Sequence, residues 1–169
     1  MLIRTECLPV QAAWAGFIAG TLATMAQVLL WLLSATPVVE TLLRDARLTA
    51  AVIMGQSVVA SGQAWRWDVL LIATLIHFGL SFIYAAIALP VVTRLNMALA
   101  MVAGAAYGLA IYAVNLHGFT QLFPWFAVSR GWVTILTHVV FGISLAWACQ
   151  LFKLADKAGG GVLPAFDKT

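Results

Sequence analysis

The chain has 169 residues, of which 63% are hydrophobic and only 9% are charged, and its formal net charge is +3. With a mean hydropathy of +1.00, so few polar residues cannot cover the core of a soluble domain of this size, which excludes a soluble protein. The charged residues enclose four charge-free stretches of 33, 25, 35 and 22 residues. A membrane-spanning helix needs about 20 apolar residues, so each stretch predicts one span.

The first predicted span covers residues 12–34. Arg4 precedes it, as in a secretory signal peptide. Its apolar run is longer than the usual hydrophobic region of such a peptide, and no clean small-residue cleavage site follows. We therefore predict a retained helix.

The loop after the first span contains a second helical pattern, over residues 37–54. Pro37 is suited to a first helical position, and Glu40 places a negative charge in the first turn. Apolar residues then recur at helical spacing, namely Val39, Leu42, Leu43, Ala46, Ala50 and Ile53. This pattern predicts an amphipathic helix lying on the outer membrane surface.

Three further spans are predicted at residues 68–89, 97–117 and 131–152, with Pro90 and Pro124 falling outside them. Residues 1–153 then form one membrane domain, and residues 154–169 form a flexible tail. The predicted fold class is an all-α, polytopic membrane protein built as a four-transmembrane-helix bundle. Three lysines, Lys153, Lys157 and Lys168, lie after the last span, which favours cytoplasmic N- and C-termini.

The second and fourth spans resemble each other in sequence. TLIHFGLSFIYA begins at Thr74 and THVVFGISLAWA begins at Thr137. A duplicated helical hairpin explains this match, and so does the shared composition of membrane helices. Independently of that question, the pairs Gly16/Gly20 and Gly104/Gly108 have the G-x-x-x-G spacing that allows helices to approach closely.

All three histidines fall in one half of the predicted bundle. At about 1.5 Å per residue, His138 lies about 10 Å and His77 about 14 Å below the outer boundary, and His117 lies near it. Gln27, Asn115 and Tyr112 belong to the same half. Polar groups at this depth need partners because hydrocarbon offers none. The six residues are therefore our candidate ligand site.

The chemistry of this site stays open at the level of sequence. Imidazoles bind haem or transition metals such as copper and zinc, bond to a quinone, or relay protons. His77, His117 and His138 are accordingly the candidate metal ligands, but no pair has the one-turn spacing of a metal-binding helix. The simpler alternative is that the histidines bond to neighbouring helices and only support packing.

The segment GFTQLFPWFAVSRGW, which follows His117, is too apolar for an ordinary solvated loop. It predicts either a lid over the histidines or a plain interfacial anchor. If it is a lid, Arg66 and Arg130 flank the opening and favour an anionic group there. The alternative is that both arginines extend to lipid phosphates.

The order of these features resembles the YagU-like inner-membrane proteins of bacteria. The resemblance rests on His77 in an FxxS-like helix, a Gly- and Ala-rich third helix ending in His117, and a fourth span beginning before His138. It covers the chain from about residue 68, and it implies a small four-helix protein of the bacterial inner membrane whose biochemical role is not established.

The sequence contains no phosphate-binding loop, nucleophile elbow or paired carboxylates, so we predict that the protein is not an enzyme. The expected partners are the lipid bilayer and a membrane protein or further copies of the chain, with no nucleic acid. We favour an accessory or structural subunit of a larger membrane complex. The alternatives are a histidine-lined protein that binds a cofactor or ligand, and a small oligomeric transporter.

Overall fold

The computed structural model describes residues 8–60 and 65–157. They form five α-helices in chain order: α1 (Leu8–Leu33), α2 (Val38–Met54), α3 (Trp67–Val92), α4 (Met97–Ala113) and α5 (Trp132–Lys157). Four segments are long and apolar enough to cross a membrane, namely Pro9–Leu33, Trp67–Val92, Met97–Gln121 and Trp132–Ala155. The predicted fold class, an all-α bundle of four transmembrane helices, is confirmed.

Two predicted boundaries are wrong. Pro90 lies inside the last turn of α3, where few residues follow it and a missing amide proton costs little. Residues 154–157 belong to α5 and not to a flexible tail, because the helix continues past the apolar run into its first charged residues. The rest of the predicted tail, residues 158–169, lies outside the described residues.

Helix α5 is the centre of the bundle, because it packs against both α1 and α4. Helix α1 also packs against α3, whereas α3 and α4 barely touch each other. The core is made mainly of small side chains, including Ala15, Ala19 and Ala146, which are fully buried. A seam therefore remains between α3 and α4, where the helices are joined by a few side chains and not by a continuous interface.

Glycines bring the backbones of α4 and α5 into close contact. A Cβ atom added at Gly108 would meet the carbonyl oxygen of His138, and one added at Gly142 would meet that of Gly104. Gly16 on α1 is similar, since its Cβ would lie 2.7 Å from the Ser81 carbonyl oxygen on α3. Gly79, which matches Gly142 in the proposed repeat, has nothing within 4 Å, so the two glycines play different roles.

Helix α2 is amphipathic, as predicted. Its buried face includes Leu43, Leu48 and Ala50 and packs mainly on α3, where Val69 and Ala73 complete a small apolar cluster. The end of the bundle that carries α2 and residues 114–131 is called the loop face below.

Candidate functional site

A cavity of about 400 Å³ lies on the loop face, enclosed by the four spanning helices, by α2 and by the segment before α5. Polar side chains from all these elements line it, in chain order Thr24, Gln27, Asp45, Thr49, His77, Ser81, Tyr84, Asn115, Ser129, Thr134, Thr137 and His138. The remaining wall is apolar and aromatic. This combination of an apolar wall and a few converging polar groups is typical of a small-molecule site.

Four of the six predicted site residues line this cavity: Gln27, His77, Asn115 and His138. The helical threading predicted this convergence: α1, α3 and α5 each contribute one of them, and Asn115 lies in the turn that directly follows α4. Their shared position depends on the lengths of the apolar runs, which fix how deep each residue lies.

Both cavity histidines are held by backbone carbonyl groups. The Nδ1 atom of His138 lies 2.8 Å from the carbonyl oxygen of Thr134, one turn earlier in α5. The Nε2 atom of His77 lies 3.4 Å from the carbonyl oxygen of Gly20 on α1. A carbonyl oxygen only accepts, so these nitrogens carry the protons, and each ring keeps one unprotonated nitrogen.

His117 and Tyr112 do not line the cavity. His117 is exposed, and its ring centroid lies 5.6 Å from that of Tyr112, which lies 5.6 Å from that of His138. Tyr112 is therefore placed between the two histidines, behind the cavity wall. The cause is a π-helical turn at Val114–Gly118, which directs Leu116 inward and leaves His117 outside.

The same π-helical turn places Asn115 in the cavity, against α3. The Tyr84 hydroxyl donates to Asn115 Oδ1 at 2.6 Å, and the Tyr107 hydroxyl donates to the Tyr84 carbonyl oxygen at 3.0 Å. Single turns of π-helix occur frequently at functional sites. Here the turn creates a polar bridge across the seam between α3 and α4.

Asp45 is a cavity residue that the sequence analysis missed. It lies on α2, pairs with Arg44 at 2.8 Å and accepts a bond of 3.4 Å from Gln27 Nε2. Burial raises the pKa of the Asp45 carboxyl above its ordinary value, while Arg44 and Ser129 oppose that shift. The clue in the sequence was an acidic residue adjoining Ala46, on the apolar side of an otherwise amphipathic helix.

The aromatic segment forms a cover over the cavity. Phe119, Phe123 and Phe126 line the cavity, and Trp125 Nε1 donates to the Leu48 carbonyl oxygen at 3.0 Å, which ties the segment to α2. This arrangement fits the predicted lid better than a plain anchor.

The predicted role of the two arginines at the opening is wrong. Neither lines the cavity. Arg130 donates to the Leu116 carbonyl oxygen at 2.7 Å and to the Thr120 hydroxyl at 2.6 Å, and Arg66 pairs with Asp68. Their guanidinium groups hold local chain geometry instead of facing a ligand.

The prediction of a metal centre finds no support in the geometry. Within residues 8–60 and 65–157, no group of three or more His, Cys, Asp or Glu side chains could hold a metal ion. The physical reason is that the π-helical turn removes His117 from the other two histidines. The three imidazoles therefore do not meet at one point where they could share a transition-metal ion.

The fold and the site together define a multi-pass membrane protein with a polar cavity on one face of its helical bundle. Comparison with known proteins adds no relative, because no family model, no curated protein and no solved structure matches the chain. The resemblance to YagU-like proteins stays a prediction, and functional inference depends on the site itself.

Proposed function

We propose that this protein binds a small lipid-soluble molecule in the cavity of the loop face. The observation that carries the proposal is the cavity's composition: two histidines, a carboxylate, two amides and several hydroxyl groups converge, and the rest of the wall is apolar and aromatic. Polar groups facing hydrocarbon are expensive and mark functional sites. If these polar side chains served only to pack the helices together, no space of about 400 Å³ would be needed beside them, because protein interiors are normally filled.

The seam between α3 and α4 is the proposed route of entry from the bilayer. Leu80 and Tyr84 on α3 and Asn115 after α4 line the cavity at this seam. Because α3 and α4 have little direct contact, separating them requires breaking the Tyr84–Asn115 and Tyr107–Tyr84 hydrogen bonds and few apolar contacts. A ligand that is dissolved in the membrane can use such a path without crossing water.

We further propose that the protein resides in the bacterial inner membrane with both termini in the cytoplasm. The loop face then lies at the outer leaflet. This orientation is supported by the lysines that follow the last span.

Filling the cavity tests the proposal. Leu80 lines the cavity and is 37% exposed, so Leu80→Trp should occupy part of the space without disturbing the core. The protein would be purified in lipid nanodiscs, extracted with organic solvent and examined by mass spectrometry. We expect a stoichiometric lipid-soluble compound in the wild type and its loss in this variant.

Leu75→Trp is the matched control, because Leu75 lies on the same helix, is 63% exposed and does not line the cavity. It should retain the compound at the wild-type level. Identical extracts from all three proteins would contradict the proposal.

An accessory subunit of a membrane complex is the second proposed function. It is favoured by Gly79, a glycine in the middle of α3 that is exposed and has nothing within 4 Å. Exposed Leu75, Phe82 and Ile83 surround it, and small residues in such settings receive a neighbouring transmembrane helix. The partner would be another membrane protein or a second copy of this chain.

Purification in mild detergent tests this second function. We expect a partner to co-purify stoichiometrically with the wild type, and Gly79→Leu to abolish the association because the added side chain fills the groove. Ala110→Leu, at an exposed position on α4, should leave it intact. A wild-type protein that is a stable monomer and carries no partner would exclude this role.

A further inference from the structure

The hydroxyl groups that line the cavity already donate their protons to the protein. Six of them do so at 2.6–3.0 Å, from Thr24, Thr49, Ser81, Tyr84, Thr134 and Thr137. The seventh, Ser129, lies near the Asp45 carboxylate and lowers its pKa. A hydroxyl has one proton to give, so the six bonded groups cannot also donate to a ligand.

The two histidines, unlike the hydroxyl groups, each keep a nitrogen that can bond to a ligand. His138 uses Nδ1 to donate to Thr134, so its Nε2 is left as an acceptor. His77 uses Nε2 to donate to Gly20, so its Nδ1 is left as an acceptor. In neutral imidazole one nitrogen donates and the other accepts, and the bonded partner decides which. Both residues line the cavity, so each brings a ring with one acceptor nitrogen to its wall.

One carboxylate, that of Asp45, and two amides, those of Gln27 and Asn115, complete the polar set. Asp45 is an acceptor whose charge is already paired with Arg44 at 2.8 Å, so the cavity does not call for a cationic ligand. The Asn115 oxygen accepts from Tyr84, which leaves its amide protons available. The Gln27 amide gives one proton to Asp45 at 3.4 Å and keeps a second one. Among the side chains that line the cavity, the donors left are thus the amides of Asn115 and Gln27, and the histidine nitrogens are acceptors.

We infer that the ligand carries a hydroxyl group on an aromatic ring, as phenols and the reduced quinols do. This inference rests on the proposed binding function and names its ligand class. The hydroxyl proton is donated to an imidazole nitrogen of His138 or His77, and the hydroxyl oxygen accepts from Asn115. The ring lies among Phe123, Phe126 and Phe141, which line the cavity and suit edge or offset contacts with a ring.

A matched pair of probes tests this inference. 4-Pentylphenol and 4-pentylanisole have the same aromatic ring and apolar tail. In the anisole a methyl group replaces the hydroxyl proton, so this probe cannot donate a hydrogen bond. Binding of each to the full-length protein in nanodiscs would be measured against empty nanodiscs. We expect saturable binding of the phenol with a Kd at least about tenfold lower than that of the anisole, as the loss of a buried hydrogen bond implies.

Histidine variants locate the acceptor. The double variant His77→Leu/His138→Leu removes both acceptors, so it should bind the two probes with equal affinity. The single variant His138→Gln keeps an acceptor and should retain part of the preference for the phenol. His117→Leu, outside the cavity, should bind as the wild type does. Preference for the phenol that persists in the doubly substituted protein would overturn the inference.

The two proposals fail differently. Equal saturable binding of both probes to the wild type would overturn the inferred ligand class and leave the binding function standing. Absence of saturable binding for both would overturn the binding function as well. Should the double variant fail to fold, the comparison of probes on the wild type decides the inference alone.

Discussion

Gly108→Ala and Gly142→Ala are each expected to destabilise the protein by about 1–3 kcal/mol, the usual cost of forcing an extra carbon into a packed interface. The new Cβ atom would overlap a backbone carbonyl oxygen of the facing helix, that of His138 or of Gly104. A backbone atom cannot move aside as a flexible side chain can. The helices must separate, and α4 and α5 then lose contacts along their shared length.

The measurement is the free energy of unfolding in mixed micelles titrated with SDS and followed by circular dichroism. Gly79→Ala is the control, because it makes the same change within a spanning helix where nothing lies within 4 Å. It should be neutral or slightly stabilising, since alanine favours helix by up to about 1 kcal/mol over glycine. Equal effects at all three positions would show that α4 and α5 are not in close contact.

Gln150→Leu is expected to cost about 1–3 kcal/mol, because it removes two hydrogen bonds of a buried amide, each worth about 0.5–1.5 kcal/mol. Gln150 is 3% exposed, and its Nε2 donates to the carbonyl oxygens of Val92 at 2.7 Å and Leu95 at 3.2 Å. These carbonyls belong to the end of α3 and the turn into α4. The amide thus fastens this turn to α5, at the end of the bundle opposite the cavity.

Lys153→Met gives the comparison for this prediction. Lys153 Nζ donates to the same Leu95 carbonyl oxygen at 2.8 Å but is only partly buried, so water can replace it and the loss should be smaller. The double variant should lose more stability than the two single variants lose together, because the Leu95 carbonyl oxygen then has neither side-chain donor. Unfolding free energies in the same titration test both expectations. A fully stable Gln150→Leu variant would contradict the role of the amide.

Asp45 explains why part of the site was missed. In the sequence, Asp45 lies in the predicted amphipathic helix of the first loop, next to Arg44. Such a neighbouring pair of opposite charges usually indicates a solvated ion pair. The structure keeps the Arg44 pair but packs α2 against α3, which brings the carboxylate into the cavity next to Gln27. A contact between Gln27 and Asp45 spans two helices, and hydrophobic periodicity carries no information on how such helices pack.

His117 shows the complementary error. The sequence prediction places His117 with the other two histidines by assuming a regular helix, in which each residue turns about 100° from the last. The π-helical turn at Val114–Gly118 changes that rotation, so Asn115 enters the cavity and His117 leaves it. The apolar pattern is the same for either geometry, and the sequence therefore could not distinguish them.

The sequence by itself determined the class, the four spans, the amphipathic helix and the shared depth of His77 and His138. These follow from the length and spacing of apolar runs, because hydrocarbon admits no unsatisfied backbone and few charges. Only the tertiary structure decided which helices touch, which nitrogen of each histidine remains free, and that Asp45 joins them. Those facts depend on helix rotation and on contacts between distant residues such as Gly20 and His77, which no local pattern specifies.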